Sequence, residues 1–131
     1  MTLILTAARR LAALGLCAAA TLTVPFAALP ANAASGAESI ITITPADGGA
    51  YAFRLTCDPD GGVHPRPREA CDALRGVDGW FGNLDVDPGP CPLIWDPVTV
   101  EVRGHWYGRP NPYQEQFPNR CVMERKLGPV V

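Results

Sequence analysis

Few side chains of this 131-residue chain could carry nucleophilic or acid–base catalysis. The chain has two histidines, His64 and His105, and its serines Ser35 and Ser39 lie at the predicted start of the folded domain. A serine hydrolase needs a serine held near a histidine, and this spacing does not predict such a pair. Four carboxylates in predicted loops are the remaining candidates: Asp58, Asp60, Asp85 and Asp87. Because aspartate is a common turn-forming residue in such loops, these carboxylates do not by themselves indicate catalysis. We therefore predict that the protein is not an enzyme.

Residues 1–33 have the pattern of a secretory signal peptide. After a basic pair, the chain runs apolar from Leu11 to about Leu29 and reaches the small-x-small sequence Ala31-Asn32-Ala33. A membrane anchor is the rival interpretation, but Gly15, Pro25 and the cleavage site argue against it. We therefore expect cleavage after Ala33 and a secreted, extracellular protein with no membrane contact.

The remaining domain, residues 34–131, is acidic. The whole chain has 11 Lys and Arg residues and 13 Asp and Glu residues. Two of the arginines belong to the predicted signal, so the domain keeps 9 basic residues and has a net charge of about −4. Lys126 is its single lysine. A nucleic-acid surface needs a dense basic stripe, so no nucleic-acid partner is predicted, and the charge mainly favours solubility.

Four of the five cysteines remain in this domain: Cys57, Cys71, Cys91 and Cys121. An even number in a small exported domain predicts two disulfides, for which three connectivities are open. Sequential pairing would close loops of 13 and 29 residues, each bridge being worth roughly 3–4 kcal/mol. The four cysteines with His64 could also be read as a zinc site, but no Cys-x2–4-Cys pair is present. We predict neither a metal nor a cofactor.

Periodicity predicts a hairpin and a helix in the first half of the domain. Residues 39–44 and 51–57 alternate apolar and polar side chains on either side of the turn cluster 45–49. Arg68–Val77 has apolar residues at helical spacing, with prolines before it and glycine at its end. Residues 78–90 are rich in Gly, Asp and Pro and are predicted to be loop.

The second half is predicted to be mostly extended. Val98–Arg103 alternates with its valines inward, Gly104 is expected to turn the chain, and His105–Phe117 resumes an extended pattern. A single helical turn is expected around Cys121, within Asn119–Leu127. The order of elements predicts an α+β domain with an antiparallel sheet and a helix packed on one face.

The segment Cys91–Pro97, with the sequence CPLIWDP, predicts a binding loop. Proline restricts the residue before it to extended geometry, so Pro92 and Pro97 stiffen both ends of the segment. A stiff segment loses little entropy on docking, and the side chain of Leu93 would fit an apolar pocket of a protease. Alternatively, Leu93, Ile94 and Trp95 enter the sheet as core, which we expect in part from Trp95 onward.

A family resemblance strengthens the first interpretation. It rests on these residues: Leu55-Thr56-Cys57-Asp58-Pro59, Gly61-Gly62, His64-Pro65, Ala70-Cys71, Leu74, Cys91 to Val98, Val100, Gly104, Trp106, Tyr113, Phe117, Asn119, Cys121 and Met123. With them the domain resembles the Streptomyces subtilisin inhibitor-like family of secreted serine-protease inhibitors over about residues 39–128. The Cys-Pro-x-x-x-Asp-Pro-Val block, with the next cysteine 30 positions later, is the most specific match.

The resemblance implies a fold and a site. The fold would be a five-stranded antiparallel sheet with two short helices, stapled by Cys57–Cys71 and Cys91–Cys121. The reactive bond would be Leu93–Ile94, with Leu93 filling the specificity pocket of the protease. The contacting loop would comprise Pro90, Cys91, Pro92, Leu93, Ile94 and Trp95. Asn119 would brace that loop from behind.

The resemblance also implies partners. These would be secreted serine proteases of the subtilisin-like and chymotrypsin-like kinds, and the inhibitor itself would be a homodimer joined through its sheet.

Two features depart from the family: the Cys57–Cys71 spacing is one residue short, and the tail Gly128–Val131 lacks aromatics, so a shorter final strand is expected. The alternative function is a secreted binding module without inhibitory activity, using Trp80, Trp106 and Tyr113 as a surface patch.

Overall fold

The computed structural model describes residues 34–131, and the predicted signal segment lies outside the described residues. One antiparallel sheet is formed by the following strands: β1 (Ala37–Pro45), β2 (Tyr51–Cys57), β3 (Gly61–Gly62), β4 (Val98–Trp106), β5 (Arg109–Pro110) and β6 (Tyr113–Phe117). Strand β1 pairs with the whole of β4 along one edge. Short β5 and β6 therefore follow one another along the other edge of β4. The sheet has five strand positions, in the order β3-β2-β1-β4-β5/β6, which confirms the predicted five-stranded sheet.

The central strands bury one face of the sheet because their apolar residues alternate. Ile41 of β1 lies opposite Val102 of β4, and Ile43 lies opposite Val100. All four side chains are at most 1% exposed. Alternation with period two sends every second side chain to one face, so this register places the isoleucines and valines in a single layer of the core.

Two α-helices, α1 (Pro67–Arg75) and α2 (Arg120–Leu127), pack on that layer. Leu74 of α1 and Leu127 of α2 are buried in the same cluster as the central strands. The α+β architecture is thus confirmed, although α1 ends two residues before the predicted Val77. Among residues 34–131, neither helix has the length and apolar character needed to cross a bilayer.

Gly104 does not turn the chain as predicted but continues β4 to Trp106. The sequence offers a turn residue, yet the backbone of β1 passes too close at this point for any side chain. A Cβ on Gly104 would lie 2.0 Å from the carbonyl oxygen of Glu38. Glycine is required here by strand packing, and the chain reverses instead at Tyr107 and Gly108, both of which have positive φ.

The end of the chain also differs from expectation. Helix α2 spans eight residues rather than one turn. The tail forms a 3-10 turn, Gly128–Val130, and not a short final strand. Val130 is fully buried, and its carbonyl oxygen lies 3.1 Å from Nε2 of His64. The tail therefore packs into the core beside α1 rather than extending the sheet.

Two disulfides fasten the helices to the rest of the domain. Cys57, the last residue of β2, is joined to Cys71 of α1. Cys91 in the loop before β4 is joined to Cys121 of α2. Of the three open connectivities, the structure has the sequential one. Because all four sulfurs are consumed in these bonds, they are not available as the thiolate ligands of the zinc alternative.

Candidate functional site

The loop before β4 presents three apolar side chains to solvent. Leu93 is fully exposed, at 105% of its reference area, while Ile94 is 60% and Trp95 is 72% exposed. The alternative in which these residues enter the core is therefore wrong, and it is wrong for Trp95 as well. Since β4 begins only at Val98, the sheet ends before it can bury them.

Asn119 holds this loop from behind through its side-chain amide. Its Nδ2 donates to the carbonyl oxygens of Pro92, at 3.1 Å, and Ile94, at 2.9 Å. Its Oδ1 accepts a hydrogen bond of 3.1 Å from the backbone N–H of Val122 and thereby caps α2. This capping bond fixes the orientation of the amide, so both Nδ2 hydrogens face the loop.

Two further bonds tie the loop to the start of α2. The Cys91–Cys121 disulfide holds the chain two residues before Leu93. On the other side, the backbone N–H of Asp96 donates to the carbonyl oxygen of Pro118 at 2.9 Å. The loop is thus restrained on both sides although the side chain of Leu93 is fully exposed.

The helix that provides these anchors is bound to the sheet by a polar cluster. Lys126 of α2 pairs with Glu115 of β6, which also accepts a hydrogen bond from the hydroxyl of Tyr113. Burial would raise the pKa of Glu115, but the hydrogen bonds from Lys126 and Tyr113 outweigh it and lower that pKa. Burial and the bond to the Glu115 carboxylate together raise the pKa of Tyr113. Glu115 is therefore deprotonated and Tyr113 protonated at neutral pH, and the contact of Glu115 with Lys126 anchors α2 to β6.

The histidines and serines do not come together as a hydrolytic site. Both ring nitrogens of buried His64 bond backbone groups, Nε2 to the Val130 carbonyl and Nδ1 to the N–H of Arg66. Ser39 is buried on β1, where Asn111 donates to its hydroxyl oxygen. His105 lies exposed on β4. Each group has a structural partner or a surface position.

Three of the four aspartate candidates serve as ion-pair partners. Arg75 of α1 binds the carboxylates of both Asp58 and Asp60, and Asp87 pairs with Arg125 at 2.9 Å. Asp85 is exposed. The arginines occupy the carboxylate oxygens of Asp58, Asp60 and Asp87, which suits a structural role better than that of a general acid.

The aromatic patch of the alternative binding module does not form. Trp106 is 4% exposed and belongs to the core, because it lies on the inward face of β4. Tyr113 is partly buried and stacks on Phe81 at 5.9 Å. Only Trp80 is substantially exposed, at 45%, and the guanidinium of Arg109 covers its ring.

Two contacts of the loop region were missed by the sequence analysis. These are the bond from Asp96 to Pro118 and the ion pair between Asp87 and Arg125. The ion pair joins residues 38 positions apart. No local pattern marks such a pair, because neither residue is unusual in its own segment.

Comparison with known proteins finds a matching family model and several similar sequences. A family model described as subtilisin inhibitor-like matches residues 19–119. Subtilisin inhibitor-like protein 5 of Streptomyces fradiae is 43% identical over 81 residues, covering 60% of this chain and 76% of its own length. Subtilisin inhibitor-like protein 15 of Streptomyces bikiniensis is 44% identical over 82 residues, covering 58% of this chain and 73% of its own length.

A solved structure agrees with the fold as well. It is the crystal structure of Streptomyces caespitosus sermetstatin in complex with Bacillus licheniformis subtilisin. The similarity has a TM-score of 0.56 at 34% sequence identity, and it covers 72% of this chain and 96% of the other chain.

Proposed function

The chain belongs to the subtilisin inhibitor-like family, and from that premise we propose that it is a secreted, substrate-mimicking inhibitor of serine endopeptidases. Its reactive bond is Leu93–Ile94. The protease-contacting loop runs from Pro90 to Trp95, with Asn119 as its support. The relatives named as subtilisin inhibitor-like proteins and the sermetstatin–subtilisin complex support the choice of enzyme class.

One observation carries the choice of bond: a single amide, that of Asn119, bonds the carbonyls of both Pro92 and Ile94. In an extended chain, successive carbonyls point to opposite sides. The carbonyl of Leu93, which lies between those two, then faces away from the protein body. That orientation offers the Leu93 carbonyl to an attacking serine and its side chain to a pocket.

The same contacts explain why cleavage would not release the protease. If the Leu93–Ile94 bond is cut, Cys91 and Pro92 stay fixed on one side and Ile94 on the other. The new amine therefore remains next to the acyl group, and religation competes with hydrolysis because the reacting groups stay in place. A loop already held in its bound shape also loses little entropy on docking over a standard interface of about 800 Å² per partner.

Leu93 sets the preferred enzymes. Its large apolar side chain, which is not branched at Cβ, suits the large apolar pockets of subtilisin-like and chymotrypsin-like proteases, whereas the trypsin pocket carries a carboxylate. No charged residue lies between Pro90 and Trp95, so the loop itself offers nothing that would repel an apolar site.

The proposal is tested by titrating subtilisin with the protein and following the reactive bond. We expect activity to fall linearly to zero at one inhibitor site per enzyme. Mass spectrometry after incubation with catalytic subtilisin at mildly acid pH should show one cut, between Leu93 and Ile94. Full protease activity at excess protein would favour the binding module instead, and a cut elsewhere would move the reactive bond.

Secretion is part of the proposal. It rests on the basic, apolar and small-x-small pattern of residues 1–33, which lie outside the described residues. Cleavage after Ala33 would leave the described domain, residues 34–131, as the mature protein. The same mass spectra report the mature N-terminus.

We also propose a homodimer joined through the sheet. The helices cover one face of the sheet, and the other face carries partly exposed residues such as Ile40 on β1 and Arg54 on β2. The reactive loop is bonded to Asn119 and to Cys121 of α2, and α2 packs on the opposite face of the sheet, so such a dimer would leave both reactive loops accessible. Sedimentation equilibrium should give twice the monomer mass, and Ile40→Glu should give the monomer without loss of inhibition. A wild-type monomer would contradict the proposal.

A further inference from the structure

The chain that leads into the reactive loop runs along the last turn of α2. The backbone N–H of Val86 donates to the carbonyl of Lys126 at 3.2 Å, and that of Asp87 donates to the carbonyl of Arg125 at 2.9 Å. The last carbonyls of a helix lack intrahelical partners. The leading segment, residues 86–89, therefore occupies the free C-terminal acceptors of the same helix whose N-terminus carries Asn119.

Arg125 reaches back over this leading segment. Its Nη1 donates to the backbone carbonyl of Asp87 at 3.2 Å and to Oδ2 of the same residue at 2.9 Å. Its Nε is shielded from solvent and has no hydrogen-bond partner among the described residues. A Cβ on Gly89 would lie 2.6 Å from Nη1 and 2.9 Å from Cζ of Arg125. The guanidinium thus lies directly against the backbone at Gly89.

Beyond these backbone hydrogen bonds, the end of the leading segment borders an open hollow. The hollow has a volume of about 440 Å³ and is lined by Pro88, Gly89, Cys91, Val122 and Arg125 among others. Val86 and Asp87 are held by their backbone bonds to α2, whereas at Gly89 the guanidinium of Arg125 is the group of α2 that lies against the backbone.

We propose that Arg125 is a positioning residue for the reactive loop, acting through Asp87 and Gly89. This inference rests on the proposed inhibitory function. Helix α2 then aligns the loop at two points: Asn119 holds the carbonyls around Leu93, and Arg125 fixes the direction from which the chain arrives. Loss of the second point lets the loop sample more conformations, which must be reordered on docking.

The contribution of Arg125 should appear in loop order and inhibition rather than in fold stability. Its side chain is 33% exposed and that of Asp87 is 76% exposed, and exposed ion pairs add little to the free energy of unfolding. Arg109 offers a matched control. Its side chain is also 33% exposed, and it likewise binds the carboxylate and the backbone carbonyl of one aspartate, Asp78. Arg109 pairs with the far end of β4, away from the loop.

The experiment compares Arg125→Gln with Arg109→Gln in the mature protein. For Arg125→Gln we expect amide exchange of the peptide covering residues 88–95 to quicken about threefold in the free protein. We also expect the dissociation constant for subtilisin and the rate of cleavage after Leu93 to rise about tenfold. Arg109→Gln should leave all three unchanged, and the two variants should lose similar, small amounts of thermal stability.

Gly89→Ala supplies a second, independent variant. Its methyl group collides with the guanidinium, so it should weaken inhibition in the wild-type background but add nothing to Arg125→Gln. Non-additivity of this kind is expected only for groups in direct contact.

The outcomes separate the two proposals. If the wild-type protein does not inhibit subtilisin but Arg125→Gln quickens exchange, the positioning role stands and the proposed function falls. If wild type inhibits while Arg125→Gln matches Arg109→Gln in both exchange and inhibition, the positioning role is overturned. If the wild-type protein does not inhibit subtilisin and Arg125→Gln exchanges its amides at the same rate as Arg109→Gln, both proposals are overturned.

Discussion

Replacing Leu93 by lysine is expected to redirect the proposed inhibition from subtilisin to trypsin. The Leu93 side chain is fully exposed and makes no core contact, so the change should leave the fold intact. A lysine at this position meets the carboxylate in a trypsin pocket but brings a charge into an apolar one. We expect the dissociation constant for subtilisin to rise at least about 100-fold, as for an interface hot spot, and trypsin to be inhibited stoichiometrically.

The matched control is Val63→Lys, which adds the same charge at another exposed apolar residue. Val63 is 71% exposed and lies beside β3, outside the reactive loop. Its substitution should change neither dissociation constant. Titration of both proteases with both variants decides the matter: if Leu93→Lys keeps the wild-type profile, Leu93 does not occupy the specificity pocket.

Removing the Cys91–Cys121 disulfide is expected to turn the inhibitor into a substrate. The bridge closes a loop with a sequence separation of 30. Its loss should lower the free energy of unfolding by roughly 3–4 kcal/mol. It should also free the chain on the Leu93 side of the bond, so the cut ends separate and religation fails. Cys91→Ala with Cys121→Ala, assayed well below the melting temperature, should show rapid cleavage after Leu93 and recovery of protease activity.

The other disulfide provides a control for stability alone. Cys57→Ala with Cys71→Ala removes a bridge of sequence separation 14, between β2 and α1, worth about 3 kcal/mol. Denaturant titration should show a comparable loss of stability, yet permanent inhibition should persist at low temperature. Equal rates of cleavage in the two double variants would mean that global unfolding, not release of the loop, ends inhibition.

Much of the fold follows from patterns a few residues long. The alternating residues of β1, β2 and the start of β4 form strands with the expected inward faces, and the spacing of Ala70 and Leu74 forms α1. Prolines on both sides of Leu93 correctly indicated a loop rather than a buried strand. These features were predictable because each depends on neighbours that are close along the chain.

The contacts that support the loop were harder to predict from the sequence. Asn119 was expected only through family resemblance, since an asparagine before a helix ordinarily predicts a cap and nothing more. Its cap is indeed present, but the same amide also bonds Pro92 and Ile94, which lie 27 and 25 positions earlier. Nothing in the spacing of these residues announces that contact.

The sequence therefore determined the strands, the first helix, the proline-flanked apolar loop and, once the family was recognised, the two disulfide-forming pairs. Tertiary structure decided that Gly104 continues a strand, that Trp106 is core while Trp95 is solvent-exposed, and that Arg125 meets Asp87. The physical reason is the distance along the chain over which each interaction acts. Alternation, capping and proline geometry act between neighbours, whereas close backbone approach, burial and ion pairing depend on which distant segments the completed sheet and helices bring together.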